Sequence, residues 1–150
     1  MKSLVLAVGL LVATALPAHA APGTCVPNVA SIRFQCSVPE LDAMFRAAGP
    51  GAAPMGVKNG WVIEPPAMVA LGNVFWQGKR FYPGGVINRT LGSEAVSGAV
   101  FVAGSVLDGR PTWVIQYPFP VRDEIREVAP GVYLGSSLSP GGRTLTFVLA

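Results

Sequence analysis

Imidazole is all but missing from this chain. The one histidine, His19, falls within the first twenty residues, where Lys2 is followed by the apolar run Leu4 to Ala13 and then by Ala18-His19-Ala20. That order of a positive start, a short apolar core and small residues is the layout of a secretory signal peptide, and the run is too short to span a bilayer. Cleavage after Ala20 would leave residues 21–150 without any histidine, which excludes histidine triads, histidine metal sites and a histidine general base. Charge is scarce as well, at 13% of residues, and the formal net charge of +3 falls to +2 once Lys2 is gone. No Lys/Arg cluster is interleaved with aromatics, so nucleic acid is excluded as a partner. No second apolar stretch approaches membrane length, so no transmembrane anchor is expected. Asp-rich loops are absent, and no metal or cofactor is expected.

What is abundant is turn chemistry. Eighteen glycines and fourteen prolines punctuate a chain that is 51% hydrophobic. About 130 residues after cleavage suffice for one compact domain, and this profile fits a β domain better than a helical bundle. The only cysteines, Cys25 and Cys36, stand close enough in sequence to form a single disulfide in an oxidising export compartment, either periplasmic or extracellular.

One short N-terminal helix is expected after Ser37-Val38-Pro39-Glu40, a capping box with Ser37 at the N-cap and Glu40 three residues on. Leu41, Met44, Phe45 and Ala48 then repeat at helical spacing until Gly49-Pro50. Beyond Met55 the pattern alternates. Strands are predicted over 57–64, 73–82, 86–91, 95–107, 111–117, 121–128, 132–138 and 143–149, with Gly/Pro turns between nearly every pair. Eight short strands so spaced predict an all-β, antiparallel, up-and-down barrel, with a β-sandwich as the alternative.

Several segments carry a family likeness. Leu41-Asp42-Ala43-Met44-Phe45, Gly56-Val57-Lys58-Asn59-Gly60, Trp76-Gln77-Gly78-Lys79-Arg80-Phe81 and Val86-Ile87-Asn88 follow one another in order. Together with the strand pattern from Ala95 to Gly135, they resemble the lipocalin-like bacterial proteins of the GxWxG-motif family and their companion domain of unknown function. The resemblance implies a calycin-type barrel and says little of activity. One departure stands out: Lys58 occupies the place of the central tryptophan in Gly-x-Trp-x-Gly.

Candidate site residues come from two sources. The densest charge cluster is Arg122-Asp123-Glu124-Ile125-Arg126-Glu127. Strand alternation puts Arg122, Glu124 and Arg126 on one face. Pointed into a barrel, that set would hold the anionic end of a ligand; on an exposed strand, its charges would pair and deter edge association. Among the aromatics, Tyr82, Trp113 and Tyr117 are the pocket candidates, each with a polar group to orient a ligand. Asp123 and Glu127 share a face about 13 Å apart, too far for a glycosidase pair. With no nucleophile and base to name, the chain is not expected to be an enzyme. The expected function is therefore reversible binding of a small apolar or amphipathic molecule by an exported barrel. Two readings compete with it: a cell-envelope interaction protein with a filled barrel and an unknown protein partner, and a cofactor-free enzyme working through carboxylates and tyrosines.

Overall fold

The computed structural model describes residues 24–150, so the signal peptide expected over 1–20 lies outside it. Its core is a closed antiparallel barrel of eight strands joined in sequence order: β1 (Gly56–Glu64), β2 (Trp76–Tyr82), β3 (Gly85–Thr90), β4 (Ser93–Gly104), β5 (Pro111–Gln116), β6 (Arg122–Ala129), β7 (Val132–Ser139) and β8 (Gly142–Leu149), with β8 returning to β1. Closure removes the free edges of a sandwich, so the alternative architecture does not apply.

Helices α1 (Val29–Phe34) and α2 (Val38–Ala47) precede the barrel. The sequence pattern anticipates α2 alone. There, Glu40 accepts the Ser37 N–H at 2.8 Å, and Leu41 and Phe45 are buried along its apolar stripe. Helix α1 is only six residues long, too short to show a period, and Asn28 caps it by accepting the Ser31 N–H. The Cys25–Cys36 disulfide brackets α1.

A third helix, α3 (Pro66–Phe75), replaces the first part of the strand predicted over 73–82. Its sequence, Pro-Ala-Met-Val-Ala-Leu-Gly-Asn-Val-Phe, is apolar on every side, so it shows neither helical nor strand alternation. Proline at its start suits the first helical turn. Asn73 then ties α3 to β1, accepting the Val62 N–H at 2.7 Å and donating to the Val62 carbonyl at 3.2 Å.

Alternation sorts the strand residues into two cores. Phe81, Val86, Ile115, Tyr117, Ile125, Tyr133, Phe147 and Leu149 pack inside the barrel. Leu134 and Val148 point outward and pack with Ile32, Leu41 and Phe45 of α1 and α2. The helices thus cover one outer wall. Two glycines make room within: a Cβ on Gly60 would fall 2.5 Å from the Trp76 ring, and Gly78, at φ +111, would place one 2.1 Å from the Lys58 carbonyl.

Candidate functional site

One end of the barrel is plugged. The segment between α2 and β1 crosses it, with Ala52 donating to Glu127 at 2.7 Å, Tyr133 donating its phenol proton to the Ala52 carbonyl at 3.0 Å, and Trp113 Nε1 reaching the Gly51 carbonyl at 3.4 Å. Gly131 also donates to Glu127, and these backbone N–H groups hold its carboxyl below the ordinary glutamate value.

The other end holds a cavity of about 380 Å³. Its walls are mostly apolar, with Val62, Leu145 and Phe147 from the strands, Val121 from just before β6, and Met68 and Phe75 from α3. It reaches the surface between α3, the start of β4 and the β5–β6 connection, where Met68, Phe75, Val96 and Phe119 are 40–48% exposed. Val96 has φ +60, an unusual conformation for a β-branched residue, at an irregularity in the β3–β4 pairing.

A polar knot borders this cavity. Lys79 Nζ donates to Asp123 Oδ2 at 2.8 Å, to the Tyr117 hydroxyl at 2.6 Å and to Asn88 Oδ1 at 2.8 Å. Tyr117 donates to Asp123 Oδ2 at 2.7 Å, and Ser137 donates to Oδ1 at 2.5 Å. Trp76 Nε1 donates to Asn88 Oδ1 at 3.1 Å, while Asn88 Nδ2 serves Tyr117 and the Val96 carbonyl. Lys79 and Asp123 are nearly sealed, at 2% and 4% side-chain exposure. Burial pulls the Lys79 ammonium down, but Asp123 and Tyr117 beside it outweigh that and hold it above the ordinary lysine value. Burial pushes the Tyr117 phenol up to about 12. The knot therefore presents a protonated lysine and a neutral tyrosine at physiological pH.

Of the six ligand candidates read from the sequence, Tyr117 alone lines this cavity. Trp113 faces inward at the plugged end, and Tyr82 is 41% exposed at the β2–β3 turn. Arg122, Glu124 and Arg126 require a correction, because they sit on the outer face of β6. The face bearing Val121 and Ile125 turns in and takes Asp123 with it. The outer set is not a solvated charge run either. Arg126 is wholly buried, forming a two-pronged pair with Asp108 at 2.7 and 2.6 Å and donating to the Phe45 carbonyl at 3.0 Å. It closes the C-terminal turn of α2, whose last carbonyls lack helical partners. Glu124, also wholly buried, accepts from Arg122 at 2.6 Å, from the Val106 N–H at 2.9 Å and from Ser105 Oγ.

Sequence reasoning missed Lys79, Asn88, Asp123, Ser137 and Trp76. Lys79 and Trp76 lie in the segment that carries the family likeness, and Lys79 stands two residues from the inward Phe81, which was the available signal. Asn88 ends the Val86-Ile87-Asn88 segment of the same likeness, while Ser137 gave no signal, since an isolated polar residue on a strand is ordinarily taken to face solvent.

No protein-family model and no curated protein matches the chain. A solved structure of a protein from Thermomonospora curvata is similar over 77% of this chain and 87% of its own, with a TM-score of 0.57 and 20% identity. At that identity the likeness shows the fold alone.

Proposed function

We propose that this protein is an exported carrier that reversibly binds one small apolar or amphipathic molecule in the open end of its barrel. The observation that carries this reading is the 380 Å³ apolar cavity reaching the surface beside α3, a size within the usual range for small-molecule sites. Burial of the ligand's apolar body would supply the affinity at about 25 cal/mol per Å² removed from water. The Cys25–Cys36 disulfide supports an oxidising compartment outside the cytoplasm, in keeping with the signal-peptide pattern of residues 1–20. The order of the Trp76-to-Phe81 and Gly56-to-Gly60 segments supports membership of the GxWxG lipocalin-like group, with Trp76 packed over Gly60.

A catalytic reading has one observation in its favour, the Asp123 carboxylate 2.7 Å from the Tyr117 hydroxyl beside the cavity. Against it, Asp123 already accepts from Lys79, Tyr117 and Ser137, and a phenol raised to about 12 is a poor proton donor at neutral pH. The knot is built to hold still, so binding without turnover is the better reading.

Native mass spectrometry on gently purified protein, followed by solvent extraction, tests the proposal. A stoichiometric adduct is expected, and Val121→Trp, which puts an indole into the cavity, is expected to lose it while remaining folded. A clean apo mass, with no uptake from a mixed lipid extract, would move the weight to a partner-binding barrel.

A further inference from the structure

The hydrogen-bond arithmetic of the cavity specifies the polar end of its ligand. A Lys79 ammonium has three protons, and all three are spent, on Asn88, Tyr117 and Asp123. Asn88 is oriented by accepting from both Lys79 and Trp76, and its two amide protons go to Tyr117 and the Val96 carbonyl. The protons of Trp76 Nε1, Tyr117 and Ser137 are also committed, the last two to Asp123. Thr90, the remaining hydroxyl among the lining residues, sits at the end of β3 within 3.4 Å of Ser93 Oγ. Acceptor capacity, by contrast, is left over. Ser137 Oγ gives one proton and receives none, and Asp123 Oδ1 receives only that one.

Charge points the same way. Among the described residues, Lys79 and Asp123 are the only charged side chains lining the cavity, and they neutralise each other at 2.8 Å. The two arginines able to meet an anionic head group, Arg122 and Arg126, are on the far side of the wall, paired with Glu124 and Asp108. A carboxylate or phosphate brought to the knot would find no free proton and no free cation, and would bear the desolvation cost of its charge uncompensated.

We infer that the ligand is a neutral amphiphile whose polar end is a hydrogen-bond donor, an aliphatic alcohol or a phenol, received by Ser137 Oγ and the open side of Asp123 Oδ1, and that anionic amphiphiles are rejected. This rests on the binding reading given above. It also explains the knot itself: pinning Asp123 with Lys79 and Tyr117 leaves one fixed acceptor edge facing an apolar space.

Calorimetric titration of the full exported chain with three matched probes, 1-decanol, 1-methoxydecane and decanoate, separates the possibilities. A hydrogen bond to a charged acceptor corresponds to about tenfold or more in affinity. The alcohol is therefore expected to bind about tenfold tighter than the ether, with decanoate the weakest. Ser137→Val, which removes the serine acceptor and sets methyl groups against the open side of Asp123 Oδ1, is expected to bring alcohol and ether towards parity. Decanoate binding as well as or better than the alcohol would overturn the inference and leave the carrier reading standing. So would equal affinity for alcohol and ether in the unaltered protein. Failure of all three probes, with no adduct in the native mass spectrum, would overturn the carrier reading itself.

Discussion

Strand β6 buries charge on both of its faces, and the two clusters behave differently. Outside, Arg126, Asp108, Glu124, Arg122 and Ser105 lock together beneath α2 and the β4–β5 connection, with the Arg126 guanidinium stacked 4.3 Å from the Phe45 ring centroid. Inside, Asp123 joins Lys79, Tyr117, Asn88 and Ser137 along the wall of an open cavity. The outer cluster spends itself on backbone carbonyls and loop N–H groups, which is the work of joining one element to another. Side chains alone make up nearly all of the inner one, and it keeps an acceptor edge towards the cavity. The comparison shows that burial of a charge does not by itself mark a functional site. Nor does an unspent polar atom, since Arg122 Nε and Arg126 Nε are buried without partners on the outer side. What marks the site is the cavity that the inner cluster faces.

The largest effects should come from breaking either cluster at its cation. Arg126→Leu leaves Asp108 and the end of α2 without their partner and is expected to cost about 3–5 kcal/mol by denaturant unfolding. Ligand affinity of the remaining folded protein should be unchanged. Lys79→Met strands Asp123 inside the barrel at a similar cost, but there affinity should fall as well. If Arg126→Leu weakened binding with stability intact, the division between the faces would fail.

Acid should weaken the outer cluster at its Asp108 carboxylate. Arg126 beside Asp108, opposed by partial burial and helped by the Arg110 N–H, holds the Asp108 carboxyl down at about 2, against an ordinary 3.8. A depressed value means that the stabilisation is complete above about pH 4 and is lost as pH falls towards 2. Unfolding midpoints followed through that window should decline, and Asp108→Asn should flatten the decline while lowering stability at neutral pH. A profile equally steep in the variant would assign the acid sensitivity elsewhere.

The smallest effect should be at the exposed pair between Arg80 and Glu94, 2.6 Å apart on the outer surface of β2 and β4. Solvent and salt screen such a pair, so Glu94→Gln should leave the thermal midpoint where it is. A marked drop would mean that exposed pairing matters to this barrel more than its buried clusters suggest.

Much of this was legible in the sequence, and the failures have physical causes. Alternation and Gly/Pro turns located seven of the eight strands within about two residues at most of their ends, and the capping box at Ser37 located α2. Helix α3 was hidden because it has no polar face to give it a period. The site was only partly readable. Tyr117 was found by its strand alternation with Trp113 and Ile115, whereas the facing of Arg122, Glu124 and Arg126 was left open between an inward ligand-holding set and an exposed strand. The apolar Val121 and Ile125 on the opposite face were not used to decide it. A run with charge on both faces has its inner side marked by its hydrophobic members, and Asp123 shares theirs. No local pattern could show that Arg126 meets the end of a helix eighty-one residues earlier in the chain, because that contact exists only once α2 docks on the barrel.

The most direct test of the carrier reading is a methyl-resolved NMR titration of the protein with 1-decanol. Saturable shifts are expected at Val62, Val121 and Leu145, which line the cavity, with the outer-core methyls of Ile32, Leu134 and Val148 left unmoved. Shifts confined to the outer core, or none at any concentration the alcohol can reach, would contradict a binding site inside the barrel.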